Sequence, residues 1–308
     1  MIEALLDRPA GRWMLRGLWF LGLWLIAHVA LPVPKPDAVT ALTPWRAPLI
    51  AAALVLNWLL LSRLPRPVQI AAIWIELFLL VLLFFYSFNL SFEFISRKIG
   101  FLITQGAVTT LYISAISTAI ATVIALAGAI AKLSRNGMAY ALASFYTSLF
   151  RGLPLLMQIY LIYLGLPQVG IIIDAIPAGI MALSLCYGAY MTEIFRAGIE
   201  SIPKGQWEAA RALGLRDGRI MRMIILPQAM RLIVPPTGNQ FISMLKDSSL
   251  VSVVGVWELM YLARTQGQTE FRHIEMLITA SLIYWGLSVV LEILQARLER
   301  HFARSERR

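Results

Sequence analysis

Cysteine, histidine and charged residues are all scarce in this chain. The 308 residues include one cysteine and three histidines, and only 14% of them are charged. A single cysteine, Cys186, cannot form a disulfide framework, and His28, His273 and His301 lie too far apart to suggest a metal site. The sequence therefore predicts no metal site, and its low charge argues against an ordinary soluble domain.

Acidic residues are also few, with 17 Asp and Glu against 27 Lys and Arg and a formal charge of +10. The basic residues flank apolar segments and do not cluster with aromatics, so they indicate membrane topology and no nucleic-acid partner. The carboxylates are scattered, and no nucleophile lies beside a base. We therefore expect no catalytic residues and no enzymatic activity on this chain.

Long hydrophobic runs are what the sequence has instead. Hydrophobic residues make up 59% of the chain, and the mean hydropathy is +0.72. This composition predicts an all-α integral membrane protein in contact with lipid, with about eight transmembrane helices. The runs lie at about 17–33, 47–61, 68–88, 107–131, 152–173, 175–192, 223–257 and 276–291, and proline interrupts 223–257. We interpret the first run as an uncleaved anchor, with a cleaved signal peptide as the alternative.

The distribution of Lys and Arg predicts the orientation of these spans. Basic residues concentrate before the first run, in the segment 196–231 and after the last run. Because short cytoplasmic segments carry an excess of Lys and Arg, both termini and the segment 201–215 are expected in the cytoplasm.

The stretch SIPKGQWEAARALGL, residues 201–215, is a polar island between apolar runs. Ser201 is placed to cap a helix over 204–213, after Pro203, and Gly214 is placed as its left-handed C-terminal cap. A second segment over 215–226 is expected to end at Pro227. Trp207 and the alanines would be exposed for docking to a partner, or the loop would rest on lipid headgroups.

The spacing of this island resembles a known signature. Glu208-Ala209-Ala210 is followed by three residues, Gly214, nine residues, Ile224, one residue and Leu226-Pro227. The pattern resembles the EAA motif of ABC importer permeases of the MetI-like type. The stretches 150–167, 187–210 and 239–254 resemble the polar amino acid branch of these permeases. The resemblance covers about 104–300.

The resemblance implies a five-helix type I ABC importer permease core at 104–300, preceded by an extension of about three helices at 1–103 and followed by a tail at 301–308. It also implies a bacterial inner membrane subunit that translocates polar amino acids. Its partners would be a cytoplasmic ABC ATPase dimer, a second permease subunit and a periplasmic amino-acid-binding protein. No cofactor is expected on this chain, which lacks the G-x-x-x-x-G-K-[ST] loop, so ATP and Mg would bind the partner ATPase.

Within a coupling loop at 198–226 and the proline after it, the resemblance assigns contact with the ATPase to Trp207, Glu208, Ala209, Ala210, Leu213, Gly214 and Pro227. Glu208 would orient the helix and Trp207 would be an anchor. Ala209 and Ala210 would permit close approach to the ATPase.

Polar residues inside apolar runs are candidates for a translocation path. Gln158 follows Arg151-Gly152-Leu153-Pro154, where glycine and proline would break a span. The charged pair Lys246-Asp247 interrupts another apolar span. It could pair across a dimer interface or contact a zwitterionic amino acid. The candidates are Thr110, Ser114, Gln158, Tyr190, Glu193, Asn239, Lys246 and Asp247.

Each of these candidates has an alternative. The hydroxyls of the run 107–131 could bond within their own helix or to a neighbouring one, and Glu193 could form a local ion pair with Arg196. An ion-coupled secondary transporter or channel would instead use Glu76, Lys246 and Asp247 as coupling sites.

Overall fold

The computed structural model describes residues 45–86 and 90–303, which contain no β-strand. The chain divides into two compact units, one ending at Asn89 and one beginning at Leu90. The predicted first run, 17–33, lies outside the described residues, and so does the end of the run 68–88.

Within residues 45–86, the described part of the first unit contains two helices, α1 (Arg46–Leu61) and α2 (Arg66–Tyr86), joined by a short turn. The amide of Asn57 donates a hydrogen bond of 2.8 Å to the Glu76 carboxylate between the two helices. Large apolar side chains, including Trp58 and Trp74, are exposed. This surface suits a lipid environment, in which the Asn57–Glu76 bond supplies a partner for a polar group that hydrocarbon cannot solvate.

The second unit is built from ten α-helices within its described residues. They are α3 (Phe92–Phe101), α4 (Val108–Leu133), α5 (Gly137–Gly152), α6 (Leu155–Tyr160), α7 (Ala175–Glu200), α8 (Lys204–Ala212), α9 (Asp217–Ile220), α10 (Leu226–Asp247), α11 (Leu259–Thr269) and α12 (His273–Ala303). Wider π turns join α3 to α4 (Leu102–Ala107), follow α6 (Leu161–Gly165) and join α9 to α10 (Met221–Ile225). Two 3₁₀ segments, Leu166–Val169 and Ser248–Val254, complete the unit.

Three described helices are long and apolar enough to cross a membrane: Phe92–Leu133, Ala175–Glu200 and His273–Arg300. A fourth span is possible if Gly137–Gly152 and Leu155–Val169, which meet at 106°, count as one. The predicted total of eight is therefore not confirmed by length and composition. The predicted boundary between 103 and 104 falls inside the first of these helices, which runs without interruption through its π turn.

Two predicted runs are organised differently in the structure. The run 152–173 belongs to a bent pair that starts at Gly137. The run 223–257 is not broken by its prolines, because α10 continues through Pro235 and Pro236. Side-chain donors assist the helix there: Thr237 Oγ1 bonds the Ile233 carbonyl, and Gln295 Nε2 bonds the Pro235 carbonyl. These two bonds add side-chain contacts to the part of α10 that contains the prolines.

Small side chains let α4 and α7 pack closely at the centre of this unit. Ala121, Ala125 and Ala129 of α4 are fully buried, as is Ala182 of α7. Close approach of backbones through Ala, Gly and Ser is the usual way in which membrane helices gain packing contacts. The packed pair fixes the positions of the segments that follow each helix, which are α5 after α4 and α8 after α7.

The substitution Gly128→Ala is expected to destabilise this contact. A Cβ atom at residue 128 would lie 2.5 Å from Thr192 Oγ1 and 2.8 Å from its Cγ2, and Thr192 is fully buried. Overpacking of this kind costs about 1–3 kcal/mol, so the thermal unfolding midpoint in detergent should fall. The control is Gly100→Ala in α3, where no atom lies within 4 Å and added helix propensity should leave the midpoint unchanged or higher.

Candidate functional site

The polar island 201–215 forms a short helix that is anchored to α7. After Glu200, the chain passes the buried Ile202 and begins α8 directly after Pro203. Ser201 does not cap α8, because its hydroxyl donates to the Gly198 carbonyl at 2.8 Å. Proline supplies no capping side chain, but its fixed φ suits the start of a helix.

Gly214 ends α8 in the left-handed conformation, with φ of +75°. The Leu215 N–H donates to the Ala210 carbonyl and the Gly214 N–H donates to the Arg211 carbonyl, at 3.2 and 2.9 Å. These two bonds form a Schellman motif, in which glycine is preferred at the left-handed position. The predicted glycine cap is confirmed.

The residues of the motif divide between two faces of α8. Ala210 is 2% exposed, and Trp207 is half-buried against the same core, with the Arg211 guanidinium 5.7 Å from its ring centroid. Residues three apart share a helical face, so these two hold α8 to its own chain, and the Ala210 side chain is covered by that chain. Glu208, Ala209 and Leu213 are exposed on the other side.

Pro227 does not end the segment that follows. It occupies the first turn of α10, immediately after the π turn Met221–Ile225. The proline lies where the wider π hydrogen-bonding pattern changes to the α pattern, and the helix continues through it. Gln228, its neighbour, donates to the Ile224 carbonyl at 2.8 Å and to Gln206 of α8 at 3.4 Å.

A cavity of about 460 Å³ lies where α5, α6, α7 and α10 meet. Its wall carries charges of both signs, from Arg151 and Asp247. The Tyr187 hydroxyl donates a hydrogen bond of 2.7 Å to Asp247, and the Arg151 guanidinium lies 5.4 Å from the ring centroid of Tyr190. The remaining lining residues are Gly152, Leu153, Pro154, Leu155, Cys186 and Gln240.

Only two of the predicted path residues, Tyr190 and Asp247, line this cavity. Gln158 is buried, and its amide donates to the carbonyls of Phe150 and Leu153 at 2.8 and 2.9 Å. The Gln158 amide therefore satisfies backbone carbonyls that lose their helical partners at the break before Pro154.

Thr110 and Ser114 are also buried and bonded to backbone. Ser114 donates to the Thr110 carbonyl at 2.7 Å, and Thr110 Oγ1 accepts from the Leu259 N–H at 3.2 Å. The structure therefore shows the alternative expected for these two hydroxyls. They bond within their own helix or to a neighbouring segment, and they do not line the cavity.

Asn239 and Lys246 are both exposed on α10. Asn239 accepts a hydrogen bond of 2.9 Å from Gln295 of α12. Among the polar and charged side chains that line the cavity, those of Arg151, Tyr187 and Gln240 were not among the predicted path candidates. The sequence could have indicated Arg151, because a single cation within apolar sequence is a candidate for a polar cavity.

Glu193 forms a larger charge cluster than the predicted local pair with Arg196. Its carboxylate accepts from Lys132 Nζ of α4 and from Arg196 Nε at 2.9 Å, and Arg151 of α5 approaches to 3.9 Å. Lys132 also donates to Thr147 of α5 at 2.9 Å. Helical spacing could predict only the pair within α7. The structure joins three helices here, α4, α5 and α7, close to the start of the segment 198–226.

Residues 124–304, which include α8 and the whole lining of the cavity, match the family model described as the binding-protein-dependent transport system inner membrane component. The chain belongs to this family. The family model does not extend to α1 and α2 of this transport component.

Relatives of this inner membrane component have names that refer to amino acid transport. It is 39% identical over 213 residues, 69% of this chain and 97% of the relative, to the arginine transport system permease protein ArtQ of Bacillus subtilis. It is 36% identical over 208 residues, 66% of this chain and 89% of the relative, to the L-cystine transport system permease protein TcyB of the same organism.

A crystal structure of an amino acid ABC transporter with histidines is 36% identical, with a TM-score of 0.66, over 69% of this chain and 99% of that one. An inward-facing structure of the MetNI methionine ABC transporter is 23% identical, with a TM-score of 0.57, over 66% of this chain and 96% of that one. The second likeness concerns the fold alone.

Proposed function

We propose that this chain is the transmembrane permease subunit of a binding-protein-dependent ABC importer for polar amino acids or close relatives. The observation that carries the proposal is the family match over 124–304, together with relatives named for arginine, cystine and glutamine transport. ATP hydrolysis on a separate subunit would drive the transport, with ATP and Mg bound there.

The cavity is the proposed passage for the amino acid. Arg151 and Asp247 place charges of opposite sign on one wall, which suits the carboxylate and ammonium groups of a zwitterion. The hydrogen bond from Tyr187 fixes the Asp247 carboxylate in position. Thr110, Ser114 and Gln158 would then support the helices around the passage, and Tyr190 would hold Arg151 by its ring.

The exposed face of α8 is the proposed contact with a cytoplasmic ABC ATPase dimer. Glu208, Ala209 and Leu213 are available there, whereas Trp207 and Ala210 attach α8 firmly to its own chain. A short helix that is packed in this way moves with α7 as a rigid body and can transmit movement without losing its own contacts. The remaining partners would be a second permease subunit, identical or similar, and a periplasmic amino-acid-binding protein.

The proposed domain organisation keeps the core at 104–300, the extension at 1–103 and the tail at 301–308. The core would be the transport unit. The chain would reside in the bacterial inner membrane with both termini in the cytoplasm, as the bias of Lys and Arg indicates.

Deletion of the gene is expected to lower uptake of at least one of radiolabelled arginine, glutamine or cystine by about tenfold or more, because the proposed passage would be missing. The full chain supplied in trans should restore uptake. A mild-detergent pull-down of the tagged chain should recover a P-loop ATPase. Uptake that persists when cellular ATP is depleted, and stops when an ionophore collapses the ion gradients, would instead identify a secondary transporter.

A further inference from the structure

Phe271 is unusual in both its backbone and its exposure. It is the one residue other than glycine with a positive φ among residues 45–86 and 90–303, at +55°, and 89% of it is exposed. A bulky residue in this conformation is a genuine outlier, and such outliers cluster at functional sites. Its ring makes no contribution to the core that would explain the choice of phenylalanine.

The turn around Phe271 does not require an aromatic residue. The Arg272 N–H donates to the Gly267 carbonyl at 2.8 Å, and the Phe271 N–H donates to the Gln268 carbonyl at 3.4 Å. This is the Schellman pattern that Gly214 forms at the end of α8, with phenylalanine in the position that favours glycine. Glycine would make the same turn without strain, so the ring is present for another reason.

Ion pairs hold the turn between α11 and α12 in place. Arg97 of α3 bonds Glu270 at 3.0 Å, and Arg272 bonds Glu275 at 2.7 Å. The Ser91 N–H also donates to Glu275, at 3.4 Å. Phe271 therefore lies on a turn that is already ordered. A partner that bound it would not have to order the backbone of this turn.

The turn lies at the opposite end of the unit from α8. The helix Phe92–Leu133 has 42 residues, which at 1.5 Å per residue is about 63 Å, roughly twice the hydrocarbon thickness of a bilayer. Lys132 at one end contacts Glu193 of α7, close to α8, whereas Arg97 near the other end contacts the turn. The charged neighbours of Phe271, Glu270 and Arg272, also place it outside hydrocarbon.

We propose that Phe271 is an anchor residue for the docking of a soluble solute-binding protein on the face of the membrane opposite α8. The proposal rests on the proposed function, since the family depends on such a protein and the ATPase would occupy the α8 face. An exposed aromatic side chain on a braced turn, with ion pairs around it, has the composition of an interface centre with a polar rim. Phe92 and Ile274, 62% and 49% exposed, extend the apolar surface beside the bonded pair Ser91 and Glu275.

The test compares Phe271→Gly with Phe271→Ala in the full chain, expressed in native cells that lack the chromosomal gene. Both substitutions remove the ring, but glycine relieves the left-handed strain and alanine keeps it. Uptake at subsaturating substrate should fall at least about tenfold in both variants, because anchor residues at interface centres have large effects. Phe271→Trp should retain most of the uptake, and basal ATP hydrolysis by the purified permease–ATPase complex should not change in any variant.

A photo-crosslink identifies the occupant of this surface. The photoreactive amino acid p-benzoylphenylalanine is placed at position 271 of the full chain in intact cells, and the adduct is identified by mass spectrometry. An adduct with a solute-binding protein, reproduced with that protein in purified form, supports the proposal. Adducts with lipid only, adducts with a second copy of this chain only, or no adduct at all overturn it. If the wild-type chain takes up amino acids and both Phe271 variants do so equally well, the docking proposal fails while the proposed function stands.

Discussion

Replacing Gly214 by valine is expected to lower amino acid uptake by more than about tenfold, an effect of about 1.4 kcal/mol or more. Gly214 has φ of +75°, and a Cβ atom there would meet nothing within 4 Å. The effect therefore comes from the backbone and not from a clash. The left-handed conformation costs an L-residue roughly 1–2 kcal/mol, and a β-branched residue avoids it most strongly. The turn after α8 would rearrange and change the direction in which α8 presents Glu208 and Leu213.

Two matched variants separate this effect from general damage. Gly214→Asn should keep most of the uptake, since asparagine tolerates the left-handed conformation. Gly218→Val changes a glycine that also has open space around it but no positive φ, and it should have the smaller effect. Uptake and the amount of ATPase recovered with the tagged chain are measured together. Normal uptake and normal ATPase recovery in Gly214→Val would show that the shape of this turn does not matter for transport.

The substitution Glu193→Gln is expected to reduce both stability and uptake. The Lys132 side chain is 11% exposed and would lose its carboxylate partner, whereas Arg196 would keep its pair with Glu200. Removing one partner costs about 3–5 kcal/mol for a buried ion pair and up to about 1 kcal/mol for an exposed one. The cost here should lie between these values, because both side chains are only partly buried. The unfolding midpoint in detergent should fall by several degrees. Uptake should fall as well, since α4, α5 and α7 would no longer be tied together beside the coupling segment.

Two further variants test whether the charge of Glu193 causes these losses. Glu200→Gln removes only the more exposed pair with Arg196, which is worth about 0.3–0.5 kcal/mol, so its midpoint should stay close to that of the wild type. The exchange Lys132→Glu with Glu193→Lys restores attraction between the two positions and should recover part of the stability. If Glu193→Gln has the same midpoint as Glu200→Gln, the cluster is not a structural tie.

The coupling segment was the most predictable part of this molecule because its signals are local. A proline, a run of helix-forming residues and a glycine within 15 residues were sufficient to predict α8 and the left-handed cap. The burial of Trp207 and Ala210 could not be predicted in the same way, since it depends on a core supplied by distant parts of the chain. Pro227 was misread for a related reason. A proline usually ends a regular helix. Pro227 does not, because it follows a π turn, and that turn cannot be recognised from the sequence.

Helix α5 was missed because its sequence is only partly apolar. Tyr140, Ser144, Thr147 and Arg151 interrupt what would otherwise be a hydrophobic run. The structure places Thr147 in contact with Lys132 and Arg151 beside Glu193 and Tyr190. Thr147 and Arg151 have their partners on other helices, and a search for apolar runs cannot detect such partners. The same long-range partners explain why the charge cluster and the cavity were predicted only in part.

The π turns between α3 and α4 and between α9 and α10 have a geometric consequence for how the two long helices can change. Each π turn contains one residue more than an α-helical turn would, so the side chains on its two sides are out of phase by about 100° relative to an uninterrupted α-helix. If the π turn shifted along the helix by one residue, only the side chains of the residues it passes would rotate about the helix axis. Each of these helices can therefore turn one part of its surface against its neighbours while the remainder keeps its packing.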